Sequence, residues 1–171
     1  GMATYINSAT SLNVNGIYGA AALAVDSSGD LYVANDHGNS VSVFAAGSTL
    51  PNATLTTGVN DPVALVIDSN GTLYVADSNG GTVTEFVPGS FTPTTTLSGL
   101  LFPDALALDS NGNLYVAEAG AAAILEFAPA ATTASATWAA DADSIVVDSS
   151  GNLWAASRFT NTVSMFSPGS T

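Results

Sequence analysis

Apolar residues along this chain fall in short runs separated by turn residues at regular intervals. Leu73-Tyr74-Val75-Ala76 is representative. Alternate side chains of a strand point to opposite faces, and here both faces are apolar. A sheet with one wet face would alternate cleanly between apolar and polar, so these strands are expected to be covered on both sides. More polar segments lie near Leu55, Leu97 and Trp138 ("NATLTT", "TTTLS", "SATWA") and read as outer strands. The links "DSSG" and "DSNG" are turn chemistry, because Asp and Asn bond their own backbone and Gly accepts a positive φ. The 3.6-residue patterning of helical repeats is absent.

The pattern occurs four times. The copies are "ALAVDSSGDLYVANDHGNSVSVF" from Ala22, "ALVIDSNGTLYVADSNGGTVTEF" from Ala64, "ALALDSNGNLYVAEAGAAAILEF" from Ala105 and "SIVVDSSGNLWAASRFTNTVSMF" from Ser144. Their anchors Asp26, Asp68, Asp109 and Asp148 are spaced by 42, 41 and 39 residues. Leu55, Leu97 and Trp138 each lie 11 positions beyond the closing Phe of their copy. Small four-stranded sheets, apolar inside and polar at the rim, stack face to face around an axis. The expected fold is therefore an all-β propeller with four four-stranded blades, a single domain over 1–171 with repeats at about 19–58, 61–99, 102–139 and 141–171. The last copy has no outer strand. Residues 4–15 resemble "LPNATLTTGVN" and are expected to supply it, closing the ring within one chain. Two other closures fit the same sequence. Two chains could exchange N-terminal strands in an eight-bladed ring, or the chain could be a fragment of a longer propeller.

Charge narrows the partners. Fourteen carboxylates face one cationic side chain, Arg158, giving a net charge of -13. Phosphate binding needs a basic surface, so nucleic acid and anionic membranes are excluded as partners. No apolar run is long enough to insert in a membrane. Proteins, peptides and glycans remain. There is no cysteine, which removes disulfides and thiolate chemistry. The lack of lysine amid abundant Ser, Thr, Ala and Gly suggests an exported bacterial protein. Gly1 before Met2 reads as the remnant of a cleaved tag, which leaves a trimmed native leader open.

The phrase "PxALxxDSNGxLYVADSxxxTVxxF" resembles the NHL repeat, a propeller blade related in shape to WD40. Pro62 and Pro103 match the proline usually found before the first strand. The resemblance covers about Gly19 to Phe166. It implies a fold more than an activity, since NHL propellers include scaffolds, RNA binders, protein binders and a few metal-dependent enzymes. It also implies a ligand face around the central channel. That face is built by the loops leading into each first strand and those joining the second and third.

On that face the resemblance places Asn35, Asp36 and His37; Asn60 and Asp61; Asp77, Ser78 and Asn79; Glu118; Asp141; and Arg158, Phe159 and Asn161. Asp104 and Asp143 share one position, five residues before the anchor aspartate. Two carboxylates converging on a channel mouth could hold Ca²⁺, do acid–base work, or simply cap nearby backbone. Arg158 is expected to pair with Asp141 or Asp143, or to grip an anionic ligand group. His37 is the only histidine, whereas metal-using NHL enzymes generally need several. Tyr32, Tyr74, Tyr115 and Trp154 recur at one strand position and are expected to pack between blades. The expected function is non-catalytic binding or scaffolding, by a monomer or a strand-exchanged homodimer. The alternative is a metal-dependent hydrolase or lyase centred on Asp104 and Asp143.

Overall fold

The structure is a computed structural model that describes residues 16–170. It contains fifteen strands in four antiparallel sheets, each a meander with its strands in chain order. Blade 1 holds β1 (Ala20–Val25), β2 (Leu31–Asn35), β3 (Ser40–Phe44) and β4 (Ala53–Leu55). Blade 2 holds β5 (Pro62–Ile67), β6 (Leu73–Asp77), β7 (Thr82–Phe86) and β8 (Thr95–Ser98). Blade 3 holds β9 (Pro103–Leu108), β10 (Leu114–Glu118), β11 (Ala123–Phe127) and β12 (Ala136–Ala139). Blade 4 has three described strands, β13 (Ser144–Val147), β14 (Leu153–Ser157) and β15 (Thr162–Phe166). The sealing strand expected at residues 4–15 lies outside the described residues. No helix among the described residues is long and apolar enough to cross a membrane.

The anchor aspartates build the turns between first and second strands. Asp68 Oδ1 accepts the N–H groups of Asn70 at 2.9 Å and Thr72 at 2.8 Å. Asp26, Asp109 and Asp148 repeat this arrangement with Ser28 and Asp30, Asn111 and Asn113, and Ser150 and Asn152. The turn requires a left-handed residue, and Gly71 supplies it at φ 84°. These four links form one end of the blade stack, the turn rim.

The two apolar faces of each blade serve different neighbours. Leu65, Leu73, Val75 and Phe86 pack back onto blade 1, against Ala34, Val41, Val43 and Leu55. Ala76, Val83 and Leu97 pack forward onto Leu106, Leu114, Val116 and Phe127 of blade 3. Blade 3 in turn sends Ala105, Tyr115, Ala117, Ile124 and Trp138 against Ile145, Leu153 and Ala155 of blade 4. Tyr74 and Tyr115 are buried in these layers and Tyr32 partly so, whereas Trp154, expected to pack between blades like them, is 37% exposed.

The arc stays open. Innermost strands β1, β5, β9 and β13 neighbour one another in turn, but blades 1 and 4 form no such packed pair among the described residues. Leu23 on blade 1 and Val163 on blade 4 remain 64% and 69% exposed. This differs from the single-chain ring. Four blades would each have to turn about 90° to meet, the tightest case known for propellers, and these face-to-face sheets turn less.

Candidate functional site

Opposite the turn rim lies the loop rim, where each chain segment leads into a first strand and each second strand passes to the third. Its construction starts at the last residue of the second strand: Asn35, Asp77, Glu118 or Ser157, all buried. Each of the first three binds the lead-in loop of its own blade. Asn35 Oδ1 accepts from Tyr18 N–H at 3.2 Å, Asp77 Oδ1 from Asn60 N–H at 3.0 Å, and Glu118 Oε1 from Leu101 N–H at 2.7 Å. In blade 4, Ser157 Oγ donates to Asp141 Oδ2 at 2.7 Å. Asn35, Asp77, Glu118 and Asp141, expected on the ligand face, thus spend their polar atoms fastening the loops that form it.

The latches differ in charge. Asn35 donates through Nδ2 to Ser42 Oγ at 3.0 Å, and Ser42 bonds the Gly16 carbonyl. Asp77 stands in the same place with Thr84, which donates to Asp77 Oδ2 at 2.7 Å and lies 3.0 Å from the Gly58 carbonyl. Burial pushes the Asp77 carboxyl up to about 6, although hydrogen bonds from Asn60, Thr84 and Thr82 oppose the shift.

A bulge aims the next residue. Pairing skips one residue between Pro103 and Ala105, as it does between Pro62 and Ala64 and between Ala20 and Ala22. Asp104 is the extra residue in blade 3, and bulges redirect side chains in this way. Its carboxyl is raised, first by burial and then by the charge of Asp143, while Arg158 acts against the rise. The structure therefore brings Asp104, Asp143 and Arg158 into one neighbourhood. Arg158 chooses Asp143: Nε stands 2.9 Å from Oδ1, and the Arg158 backbone N–H donates to Oδ2 at 2.6 Å. The guanidinium is exposed, and such pairs contribute about 0–1 kcal/mol. Ala119, Ala122, Asp141, Asp143, Arg158 and Phe159 line a cleft between blades 3 and 4, with Phe159 87% exposed. Among the described residues, no group of three His, Cys, Asp or Glu is placed to hold a metal ion.

The remaining expected residues spread along the rim. Asp61 accepts from Asn79 Nδ2 at 2.7 Å, and its N–H donates to Asn39 Oδ1 at 2.8 Å. His37 is exposed beside Asp36, with its ring 5.6 Å from that of Tyr18. The Ser78 N–H donates to the Asp61 carbonyl at 3.0 Å. Asn161 has φ 57°.

Sequence reasoning missed Tyr18, Leu101 and Phe102, which are exposed on this rim. Phe102 also sits at φ 54°, in the left-handed region that a bulky side chain enters at a cost of about 1–2 kcal/mol. Its ring lies over Gly120, where a Cβ would come within 2.8 Å of Phe102 Cδ2. A signal was present. "LLFPD" puts Leu101-Phe102 where blade 2 has Asn60-Asp61, an apolar pair in a polar loop slot.

No family model and no curated protein sequence matches the chain. Solved structures do match. Hydrazine synthase from Kuenenia stuttgartiensis superposes with a TM-score of 0.79 at 17% identity, over 96% of this chain and 49% of that one. The WD40 β-propeller domain of Doa1 gives 0.73 at 16%, over 83% and 48%. A streptogramin B lyase gives 0.75 at 13%, over 91% and 53%. The chain spans about half the length of the structures it resembles. At these identities the likeness concerns the backbone alone, and it places the chain among the β-propellers.

Proposed function

We propose that the chain is a non-catalytic binding module of NHL type, holding a protein, peptide or glycan on its loop rim. Phe102 carries the reading: an exposed aromatic kept in a backbone conformation that glycine would adopt without strain. Strain of this sort concentrates where a fixed side chain is used for contact. Leu101, Tyr18 and Phe159 extend the exposed apolar surface along the same rim, and aromatic anchors dominate recognition surfaces. The Doa1 domain and a chain of the Mitotic Checkpoint Complex, which superposes with a TM-score of 0.74, are propellers of similar backbone. Both support a protein partner over a nucleic acid, as does a net charge of -13.

A displayed-peptide library and a glycan array, probed with the 171-residue chain, test this reading. Hits are expected to vanish with Phe102→Gly and Phe159→Ala and to persist with Phe91→Ala on the turn rim. Hits indifferent to the loop rim, or none at all, overturn it.

A second reading has an observation behind it: Asp104 and Asp143 stand near enough to raise the Asp104 carboxyl. A cation such as Ca²⁺ would relieve that repulsion, provided Arg158 released Asp143. This is the centre a metal-dependent hydrolase or lyase would use. Calorimetry with Ca²⁺ on wild type and Asp104→Ala tests it, and equal or absent heats dismiss it.

A further inference from the structure

The two ends of the arc are complementary halves of an interface that the molecule already contains three times. In blades 2, 3 and 4, Leu65, Leu106 and Ile145 hold one position and are 8%, 7% and 8% exposed, each covered by the preceding blade. Leu23 holds that position in blade 1 and is 64% exposed, with Val25 beside it at 61%. The forward faces behave the same way. Val41, Val83 and Ile124 are fully buried by the following blade, whereas their counterpart Val163 is 69% exposed. Val146, Trp154 and Met165 share that open face. The strands that carry these residues, β1, β13, β14 and β15, contain no charged side chain. Open apolar area of this kind marks a contact surface.

We propose that a second copy of this chain covers both faces. Blade 4 of each copy packs on blade 1 of the other, with Val163 and Met165 lying against Leu23 and Val25. The contact joins unlike surfaces, and a two-fold axis repeats it once, so the assembly closes as a ring of eight blades. Continuity with the internal interfaces favours this occupant, since each open face matches the partner that the other end provides. The loop rim is completed by the pairing: its mouth is lined from both copies, and each cleft occurs twice around it.

Light scattering on size-exclusion fractions tests the proposal, with the expected mass twice 17.0 kDa. Leu23→Glu and Val163→Glu are each expected to weaken pairing on the order of 100-fold. Both sites are exposed in the single chain, and unchanged far-UV circular dichroism checks that the variants fold. Mixing the two variants is decisive. A mixed dimer keeps one contact with both faces intact, so dimer is expected to reappear. Each copy carries a charge of -13, so added salt is expected to tighten the pair. Wild type remaining a monomer up to about 100 μM overturns the proposal and leaves the faces to other blades. A dimer that only one of the two substitutions disrupts overturns it in favour of like-with-like contact. Failure of the mixture to pair overturns the head-to-tail geometry.

Discussion

The two rims of the blades solve the same problem in opposite ways. On the turn rim, Asp26, Asp68, Asp109 and Asp148 make one hydrogen-bond pattern four times. Seven of the eight equivalent left-handed positions there are glycine, with Ala130 the exception. On the loop rim, Asn35, Asp77, Glu118 and Ser157 fasten the loops with four different side chains. Five of the ten left-handed positions described there carry a side chain: Asn39, Asp61, Phe102, Ala122 and Asn161. One rim is built at the lowest conformational cost. The other retains strain and chemical variety. The first repeats one local device in every blade, and the second varies it from blade to blade.

The largest expected effect breaks the turn rim. Asp109→Ala removes the acceptor for Asn111 N–H, Asn113 N–H and Asn113 Nδ2, each at 2.8 Å. A loss of about 2–3 kcal/mol is expected in urea unfolding. A loss below about 0.5 kcal/mol would mean that the turns are not what holds the blades.

Titration separates Asp77 from Asp148, because these two carboxyls respond to pH with opposite sign. Asp77 titrates near 6 when folded and near 4 when unfolded. Its protonated form is the one the fold prefers. That contribution is complete below about pH 4 and disappears as pH rises through 6. Burial raises Glu85 and Glu126 in the same direction. Asp148 is held well below the usual carboxylate range by hydrogen bonds from Trp154 and Asn152. Its contribution is present above about pH 4 and is lost as pH falls through the folded value. Maximum stability is therefore expected on the acid side of neutrality. Asp77→Asn copies the neutral latch that blade 1 already has in Asn35. It is expected to stabilise the fold at pH 7 by on the order of 2 kcal/mol, and to do little at pH 4. Urea melts of both proteins across pH 4–7 check this, and an unchanged slope would rule out Asp77 as its source.

The smallest effect probes the strain. Ala122 lies at φ 47°, so Ala122→Gly is expected to raise stability by about 0.5–1 kcal/mol. Gly71→Ala, on the turn rim at φ 84°, is expected to lower it by a similar amount. Thermal melts of the pair decide whether conformational cost separates the rims.

The turn rim was readable from sequence because its interactions are local. Asp68 bonds residues two and four positions ahead, and Gly71 marks the left-handed step. The latches were readable only by position. Asp77 meets Asn60 seventeen residues earlier, and nothing in the local sequence tells that the loop folds back to bury it. The aligned loops left Arg158 a choice of Asp141, Asp143 or a ligand anion, and the structure pairs it with Asp143. Phe102 escaped because no local code announces a phenylalanine at positive φ. The sequence left three closures open, including two with an open arc, because the angle between blades depends on how whole sheets pack.

One feature of the sheets reaches beyond this molecule's present form. Every strand ladder among the described residues begins and ends inside a single continuous segment of about forty residues. Each such segment can therefore be duplicated or excised without severing a ladder, provided the flanking apolar faces still meet. A chain with more or fewer blades would then need only a module copied or removed, its ladders intact.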